Sequence, residues 1–388
     1  MLRQLALAAF ILLSAAACDS GGASQAPADT TPTPDMKPDV IPATGLPFQD
    51  FYDEVRNHAL GHDYLDGDWL EDFGDAAFWG PAFLVRVGTE EDRGDYLAVA
   101  QEAFQRNLAV LRQATGDLGF FMDSLDEVLM SALGVIEVLS ATGKTEGLYD
   151  LDALLDLVNL SVEGLGTYLD VDVDSYALNT YGPTAITATV ALLNLRYAEL
   201  LDTPLVDERL ATGRAMMAAT DEKAWGGDAY LFRPGEEKRY LYPNVITIMA
   251  NTTAYRLTGE AAYRDRALQT YQGIQVLKAP DLGCYYSPYS AVTMGAQTEV
   301  YSTLSSQNYT IMALALLWEV TGDQTYRDEI VEIATFIEDR LWQDGRILHH
   351  WMDGHIAVPT DPEYFCSGCN LQFLYASWYA MTYVWPAL

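Results

Sequence analysis

Basic residues are scarce in this sequence, and their scarcity excludes one large class of partner. The chain has 22 lysine and arginine residues against 55 aspartate and glutamate residues, a formal net charge of −33 with a pI near 4.2. Such a surface repels the phosphates of nucleic acids. It favours neutral or cationic ligands and bound cations, although a well-solvated acidic surface explains the same composition.

Several catalytic motifs are also missing. The sequence contains no glycine-rich phosphate loop followed by lysine, and no Gly-x-Ser-x-Gly turn. Its five histidines do not form the His-Glu-x-x-His pattern of zinc peptidases. Nucleotide hydrolysis, α/β-hydrolase chemistry and that peptidase chemistry are therefore disfavoured.

The apolar run at the N-terminus is short. Arg3 precedes an apolar core at residues 5–13, and three alanines lead to Cys18. The run is too short to span a bilayer and is typical of an export signal. It resembles a bacterial lipoprotein signal peptide over 1–17, with lipid on Cys18 and a Pro-, Ala- and Thr-rich tether over 18–47. This predicts a lipid-anchored protein of the bacterial cell envelope, periplasmic or on the cell surface. The alternative is an ordinary signal peptide with Cys18 incidental.

Cysteines are few, and three remain beyond Cys18: Cys284, Cys366 and Cys369. A disulfide is the default outside the cytoplasm, but an odd number leaves one thiol over. The spacing of Cys366 and Cys369 also suits a zinc site that includes Cys284 or a nearby histidine. Both interpretations stay open at this point.

A repeated phrase dominates the second half of the chain. Leu-Thr-Gly-Glu-Ala-Ala-Tyr-Arg-Asp at 257–265 returns as Val-Thr-Gly-Asp-Gln-Thr-Tyr-Arg-Asp at 320–328, and looser relatives occur near 88, 143 and 202. These positions are spaced by two helices plus turns. Apolar periodicity predicts paired helices, including a start at residue 124 where Ser124 and Glu127 suit a capping box. The pairs are 76–87 with 90–115, 124–141 with 147–169, 183–201 with 205–219, 243–258 with 260–277, and 304–321 with 323–343.

Two helices remain unpaired, at 48–60 and 368–384, and together they would close a ring. The sequence thus predicts an all-α fold, an (α/α)6 toroid of about six helical hairpins over 48–388. Its length, period and turn phrase resemble the six-hairpin glycosidases and their relatives, including the N-acylglucosamine 2-epimerases. The resemblance implies a fold and carbohydrate chemistry. It carries no intact catalytic motif, so it implies no catalytic residue.

The ring places the long connections at one end, where binding residues concentrate. Carboxylates there suit the acid and base roles of glycoside cleavage, and flat aromatic rings suit sugar stacking. The catalytic candidates are Asp68, Asp75, Glu299 and Asp353, with Asp228 in reserve; Asp75 also suits a helix cap. The substrate-binding candidates are Trp69, Trp225, Tyr242, Tyr285, Tyr289, Tyr301, His350 and Trp351.

A cation is a further possibility. Asp170, Asp172 and Asp174 alternate as calcium-binding carboxylates do, although residues 175 and 181 lack the glycine and glutamate of an EF-hand. A solvated acidic turn explains them equally well.

The leading hypothesis is a tethered carbohydrate-active enzyme acting on an oligo- or polysaccharide, best matched by a glycoside hydrolase with a carboxylate pair. The alternatives are a non-catalytic glycan-binding or scaffold lipoprotein, a zinc-dependent toroid resembling lanthionine cyclases, and a sugar epimerase or lyase. No feature of the sequence specifies the sugar or the oligomeric state.

Overall fold

The structure is a computed structural model that describes residues 46–61, 73–163, 168–170, 176–236, 238–279, 281–286, 292–293, 296–297, 301–352 and 366–385. In chain order its helices are α1 Gln49–Gly61, α2 Phe73–Glu90, α3 Gly94–Gly116, α4 Leu118–Asp123, α5 Leu125–Thr142, α6 Leu148–Glu163, α7 Tyr176–Thr180, α8 Pro183–Leu200, α9 Val206–Ala224, α10 Leu241–Thr258, α11 Ala261–Ile274, α12 Leu304–Thr321, α13 Gln324–Arg340 and α14 Ser367–Tyr383. Short 3₁₀ turns cover Tyr168–Asp170 and Gln275–Leu277.

The strands are short and lie between helices. They are β1 Lys238–Arg239, β2 Val292–Thr293, β3 Ala296–Gln297, β4 Tyr301–Thr303, β5 Trp342–Gln343, β6 Arg346–Ile347 and β7 His350–Met352. They pair antiparallel as β1-β2-β3, β4-β7 and β5-β6. None of the described helices is long and apolar enough to cross a membrane.

Six of the described helices form an inner ring. In order they are α2, α5, α8, α10, α12 and α14; each packs against the next, and α14 packs against α2 to close the ring. Helices buried on all sides are expected to lack a polar face. In α8, every residue from Pro183 to Tyr197 is buried. This is the predicted all-α (α/α)6 toroid.

The closing hairpin joins the two ends of the described chain, as predicted. Phe48 contacts Phe373 and Trp385, with ring centroids 6.5 and 6.3 Å apart. Phe51 of α1 contacts Phe373 of α14 at 5.2 Å. Aromatic pairs of this kind add to the area they bury, so they fix the outer helix α1 on the inner helix α14.

Short turns end the inner helices. Gly143, Gly259 and Gly322 follow α5, α10 and α12 with φ of 64°, 70° and 68°. This left-handed conformation is costly for residues with a Cβ and is the usual way to end a helix at glycine. Ion pairs between residues near the C-terminal ends of α2, α5, α8, α10 and α12 show that these ends lie together. These helices therefore begin at the opposite end of the ring, which we call the mouth.

Some predicted boundaries differ from the structure. Helix α2 begins at Phe73 rather than 76, α6 ends at Glu163 rather than 169, and α9 continues to Ala224 rather than 219. The capping box is also wrong, because the Ser124 side chain makes no capping hydrogen bond. Instead Asp117 caps the unpredicted helix α4, accepting hydrogen bonds from the backbone N–H groups of Gly119 and Phe120.

Candidate functional site

The centre of the ring is almost filled by side chains. The cavity along its axis has a volume of about 20 Å³, room for roughly one water molecule. Its walls are mostly apolar and include Phe78, Met130, Met249, Tyr309, Met312 and Tyr375. The cavity itself therefore has no room for a ligand larger than a water molecule.

One half-buried carboxyl lies at the mouth end of the cavity wall. Asp126 is in the first turn of α5. It shares a helical stripe with Met130, Leu133 and Glu137, which line the cavity below it. Sequence reasoning missed this residue. The available signal was an acidic residue at the start of a mostly apolar, buried helix.

The surroundings of Asp126 favour its protonated form. Burial raises the pKa of its carboxyl, while hydrogen bonds from the backbone N–H groups of Asp126 and Glu127 and from the Tyr181 hydroxyl act in the opposite direction. A carboxyl with a raised pKa keeps its proton closer to neutral pH, as a general acid requires. Asp126 is therefore the described residue best suited to donate a proton at the mouth.

Aromatic rings continue from Asp126 around the ring of helices. The ring of Tyr181 contacts that of Tyr242 at 5.4 Å, Tyr242 contacts Tyr309 at 5.2 Å, and Tyr309 contacts Trp79 at 5.1 Å. We call Tyr181, Tyr242, Tyr309 and Trp79 the aromatic arc. Tyr242 is the predicted substrate-binding residue that belongs to it, and Trp79 is fully buried.

Asp75 also belongs to the mouth by its position in the chain. It lies in the first turn of α2, the inner helix next to α5, three residues before the cavity-lining Phe78. Residues three apart share a helix face. The structure describes only the backbone of Asp75. Its relation to Asp126 therefore rests on their matching positions, each in the first turn of an inner helix.

Two predicted aromatic platforms make contacts away from the cavity wall. Tyr285 has 0% of its surface exposed, and its hydroxyl donates to Glu329 at 2.7 Å, tying its connection to α13. The ring of Trp225 packs on Tyr230 at 5.0 Å and is covered by the guanidinium of Arg266 at 3.9 Å. Tyr285 is thus held by the outer helix α13, and Trp225 by the outer helix α11. The order of residues along the chain does not reveal these contacts.

Three other predicted residues lie in the two-stranded β4-β7 sheet, whose strand β4 directly precedes α12. Tyr301 pairs with Met352 and His350 with Thr303, while Ser302 pairs with Trp351. The Trp351 ring packs edge-to-face on Phe336 of the outer helix α13 at 6.0 Å. This sheet brings the three residues to the start of α12, but Trp351 packs on an outer helix. The reserve candidate Asp228 is ion-paired with Arg239 at 2.9 Å.

The remaining predicted residues lie outside the described part of the chain. They are Cys18, Asp68, Trp69, Asp172, Asp174, Tyr289, Glu299 and Asp353.

The cysteines follow the disulfide interpretation. Cys366 and Cys369 are joined by a disulfide at the start of α14 and offer no thiolate in this state. Cys284 is a buried free thiol, and burial raises its pKa to about 12.

Asp170, a predicted calcium ligand, is ion-paired with Lys223. Among the described residues, no group of three or more His, Cys, Asp or Glu side chains is arranged to hold a metal ion.

The end opposite the mouth is closed by charged side chains, which we call the floor network: Arg86, Glu137, Arg196, Glu199, Arg256 and Glu319. They come from five consecutive inner helices, from α2 to α12. The arginines lie near the C-terminal ends of their helices, where the helix dipole favours positive charge. Glu137 and Arg196 of this network also line the cavity, at the end away from Asp126.

Comparison with solved structures agrees with this architecture. Cellobiose 2-epimerase from Bacillus thermoamylovorans superposes with a TM-score of 0.62 at 11% identity, covering 84% of this chain and 98% of the other. A sugar epimerase from a ruminal bacterium gives 0.58 at 12% identity, covering 82% and 89%. A D-mannose isomerase gives 0.57 at 12% identity, covering 78% and 86%. No protein-family model and no curated protein matches the sequence. At these identities the likeness establishes the toroid fold alone.

Proposed function

We propose that this protein is a carbohydrate-active enzyme of the bacterial envelope that hydrolyses a glycosidic bond at the mouth of the toroid. The observation that carries the proposal is Asp126: a half-buried carboxyl with a raised pKa, at the top of the cavity wall beside the aromatic arc. Sugar rings stack on exposed aromatic faces, and Tyr181, the partly exposed member of the arc, is the ring that bonds Asp126. The toroid architecture shared with sugar epimerases and an isomerase supports the substrate class by analogy.

The proposed chemistry uses two carboxyl groups. Asp126 in its protonated form donates a proton to the glycosidic oxygen as the bond to the leaving group breaks. The second group is Asp75 on the neighbouring helix α2, whose carboxylate either activates a water molecule or attacks the anomeric carbon. The Tyr181 hydroxyl holds the Asp126 carboxyl in place through its hydrogen bond.

The catalytic test uses three conservative variants. Asp126→Asn and Asp75→Asn remove the proposed acid and its partner, and Asp123→Asn changes an exposed carboxylate three residues before Asp126. Release of new reducing ends is measured on a panel of oligo- and polysaccharides. We expect Asp126→Asn and Asp75→Asn to lose roughly 100-fold or more in kcat, with Asp123→Asn unchanged. Equal activity in all three variants would reject the assignment.

Membrane attachment forms a separate part of the proposal. The apolar segment at 5–13, the alanines before Cys18 and the low-complexity tether support export and lipidation. In a bacterial host, Cys18→Ala should release the protein from the membrane fraction. Mass spectrometry of the N-terminal peptide should show a diacylglycerol adduct on Cys18. A processed N-terminus without lipid would reject the anchor.

Sugar epimerisation is the second candidate, favoured by the coverage of almost the whole cellobiose 2-epimerase chain. A proton-transferring carboxyl such as Asp126 also suits that reaction. The products separate the two candidates, because hydrolysis creates new reducing ends and epimerisation yields an isomer of unchanged mass. Saturable glycan binding with neither product would instead indicate a binding protein.

A further inference from the structure

Three buried polar atoms close to the cavity wall have no hydrogen-bond partner among the residues that the structure describes. They are Nε1 of Trp79, Oδ1 of Asn308 and Nε2 of Gln372. Each residue has 0% of its surface exposed. A buried polar atom without a partner costs about 1–3 kcal/mol, so such atoms indicate a group that binds them.

The three residues belong to one neighbourhood, on the inner helices α12, α14 and α2. The Nδ2 of Asn308 donates to the carbonyl oxygen of Cys369 at 2.9 Å and to Oε1 of Gln372 at 3.3 Å. These bonds fix both amides and leave Oδ1 of Asn308 and Nε2 of Gln372 available. The ring of Trp79 contacts Tyr309, the residue after Asn308, and Tyr375, one turn after Gln372.

This neighbourhood borders the cavity on its mouth side. Tyr309 and Tyr375 both line the cavity. Asn308, Gln372 and Trp79 are four, five and six residues from the first residues of their helices, which places them roughly 6–9 Å below the mouth at 1.5 Å per residue. The cavity volume of about 20 Å³ accommodates about one oxygen-sized group.

The unpartnered atoms match the hydrogen-bonding capacity of one hydroxyl group. A hydroxyl donates one hydrogen bond and accepts two. Oδ1 of Asn308 is one acceptor, and Nε2 of Gln372 and Nε1 of Trp79 are two donors. We infer that Trp79, Asn308 and Gln372 form a subsite that binds one hydroxyl of a sugar entering from the mouth. This inference rests on the proposed carbohydrate function and adds a specificity site to it.

The test compares sugars that differ by one hydroxyl. Binding of cellobiose, D-glucose and D-mannose, and of the monodeoxy analogues of the two monosaccharides, is measured by calorimetry. The variants are Gln372→Met and Trp79→Phe, which remove one donor each and keep the bulk of the side chain. The matched control is Trp385→Phe, because Nε1 of Trp385 is also buried without a partner in the described part of the chain but belongs to the closing hairpin.

The wild type should bind one monodeoxy analogue roughly 10- to 100-fold more weakly than its parent sugar. That ratio should fall towards one in Gln372→Met and Trp79→Phe, and should persist in Trp385→Phe. Identical ratios in the wild type and both subsite variants would overturn the inference. So would a crystal structure of a sugar complex in which a water molecule stays on the three atoms and the sugar lies elsewhere.

The outcomes also separate this inference from the proposed reaction. Hydroxyl-dependent binding without hydrolysis would reject the proposed reaction and support the subsite. Hydrolysis without any hydroxyl dependence at Gln372 and Trp79 would support the reaction and reject the subsite.

Discussion

Glu137 is the residue whose replacement tests the floor network most directly. Its carboxylate is buried, binds Arg86 at 2.6 Å, and also binds Arg196. Replacement by glutamine keeps the shape and removes the charge, leaving two arginines without their shared partner. Removing one member of a buried ion pair costs about 3–5 kcal/mol. We expect Glu137→Gln to lower the free energy of unfolding by about that amount.

The assay is urea denaturation followed by circular dichroism, with Glu102→Gln as the matched control. Glu102 is 59% exposed and pairs with Arg106 one turn away at 3.2 Å. Exposed pairs of this kind contribute about 0.3–0.5 kcal/mol. A loss in Glu137→Gln no larger than in Glu102→Gln would refute the idea that the floor network stabilises the ring.

Acid titration adds a second check on Glu137. Burial alone would raise its pKa, but the charges and hydrogen bonds of Arg196 and Arg86 outweigh burial, so the pKa in the folded state is lowered. The stabilisation is therefore complete above the unfolded-state pKa of about 4.3 and is lost as the pH falls through the folded-state pKa. The stability difference between wild type and Glu137→Gln should narrow only at acidic pH. A difference that disappears near neutral pH would contradict this account.

Three further predictions concern other parts of the molecule. A Cβ on Gly273 would overlap a backbone carbonyl oxygen, so Gly273→Ala should lower the free energy of unfolding in urea by about 1–3 kcal/mol or more. The control Gly259→Ala has open space around the new Cβ and should lose only about 1–2 kcal/mol, because of its positive φ. Tyr181→Phe removes a hydrogen bond that lowers the pKa of Asp126. If Asp126 is the general acid, the basic limb of the pH profile of kcat/KM should therefore move to higher pH, and an unmoved limb would count against the assignment. The Cys284 thiol, buried and with a pKa raised to about 12, should resist iodoacetamide at about pH 8 until the protein is unfolded, and rapid labelling of the native protein would show that the site is open.

Local signals predicted most of the helices and the ring. Residues 304–321 were predicted as a helix and are helical as Leu304–Thr321. The repeated Thr-Gly phrases predicted the turns at Gly259 and Gly322, where positive φ favours glycine. Apolar spacing and glycine conformation depend on neighbours within a few residues. These features are therefore readable from the chain.

The candidate site was predicted less well, because it depends on contacts between distant segments. Tyr285 was expected to face a ligand, and its bond to Glu329, 44 residues away, buries it instead. Asp126 was overlooked because its helix reads as a core helix in the sequence. Only the closed ring places the Asp126 carboxyl at the mouth.

By itself, the amino-acid order determined where most of the helices lie and how many hairpins could close a ring. The tertiary structure alone decided which helices face the axis, which carboxyl meets the cavity, and how Arg86, Glu137 and Arg196 meet across three helices. The physical reason is range. Backbone conformation follows interactions a few residues apart, whereas burial, ion pairing and shifted pKa values arise from side chains that folding brings together over 50 or more positions.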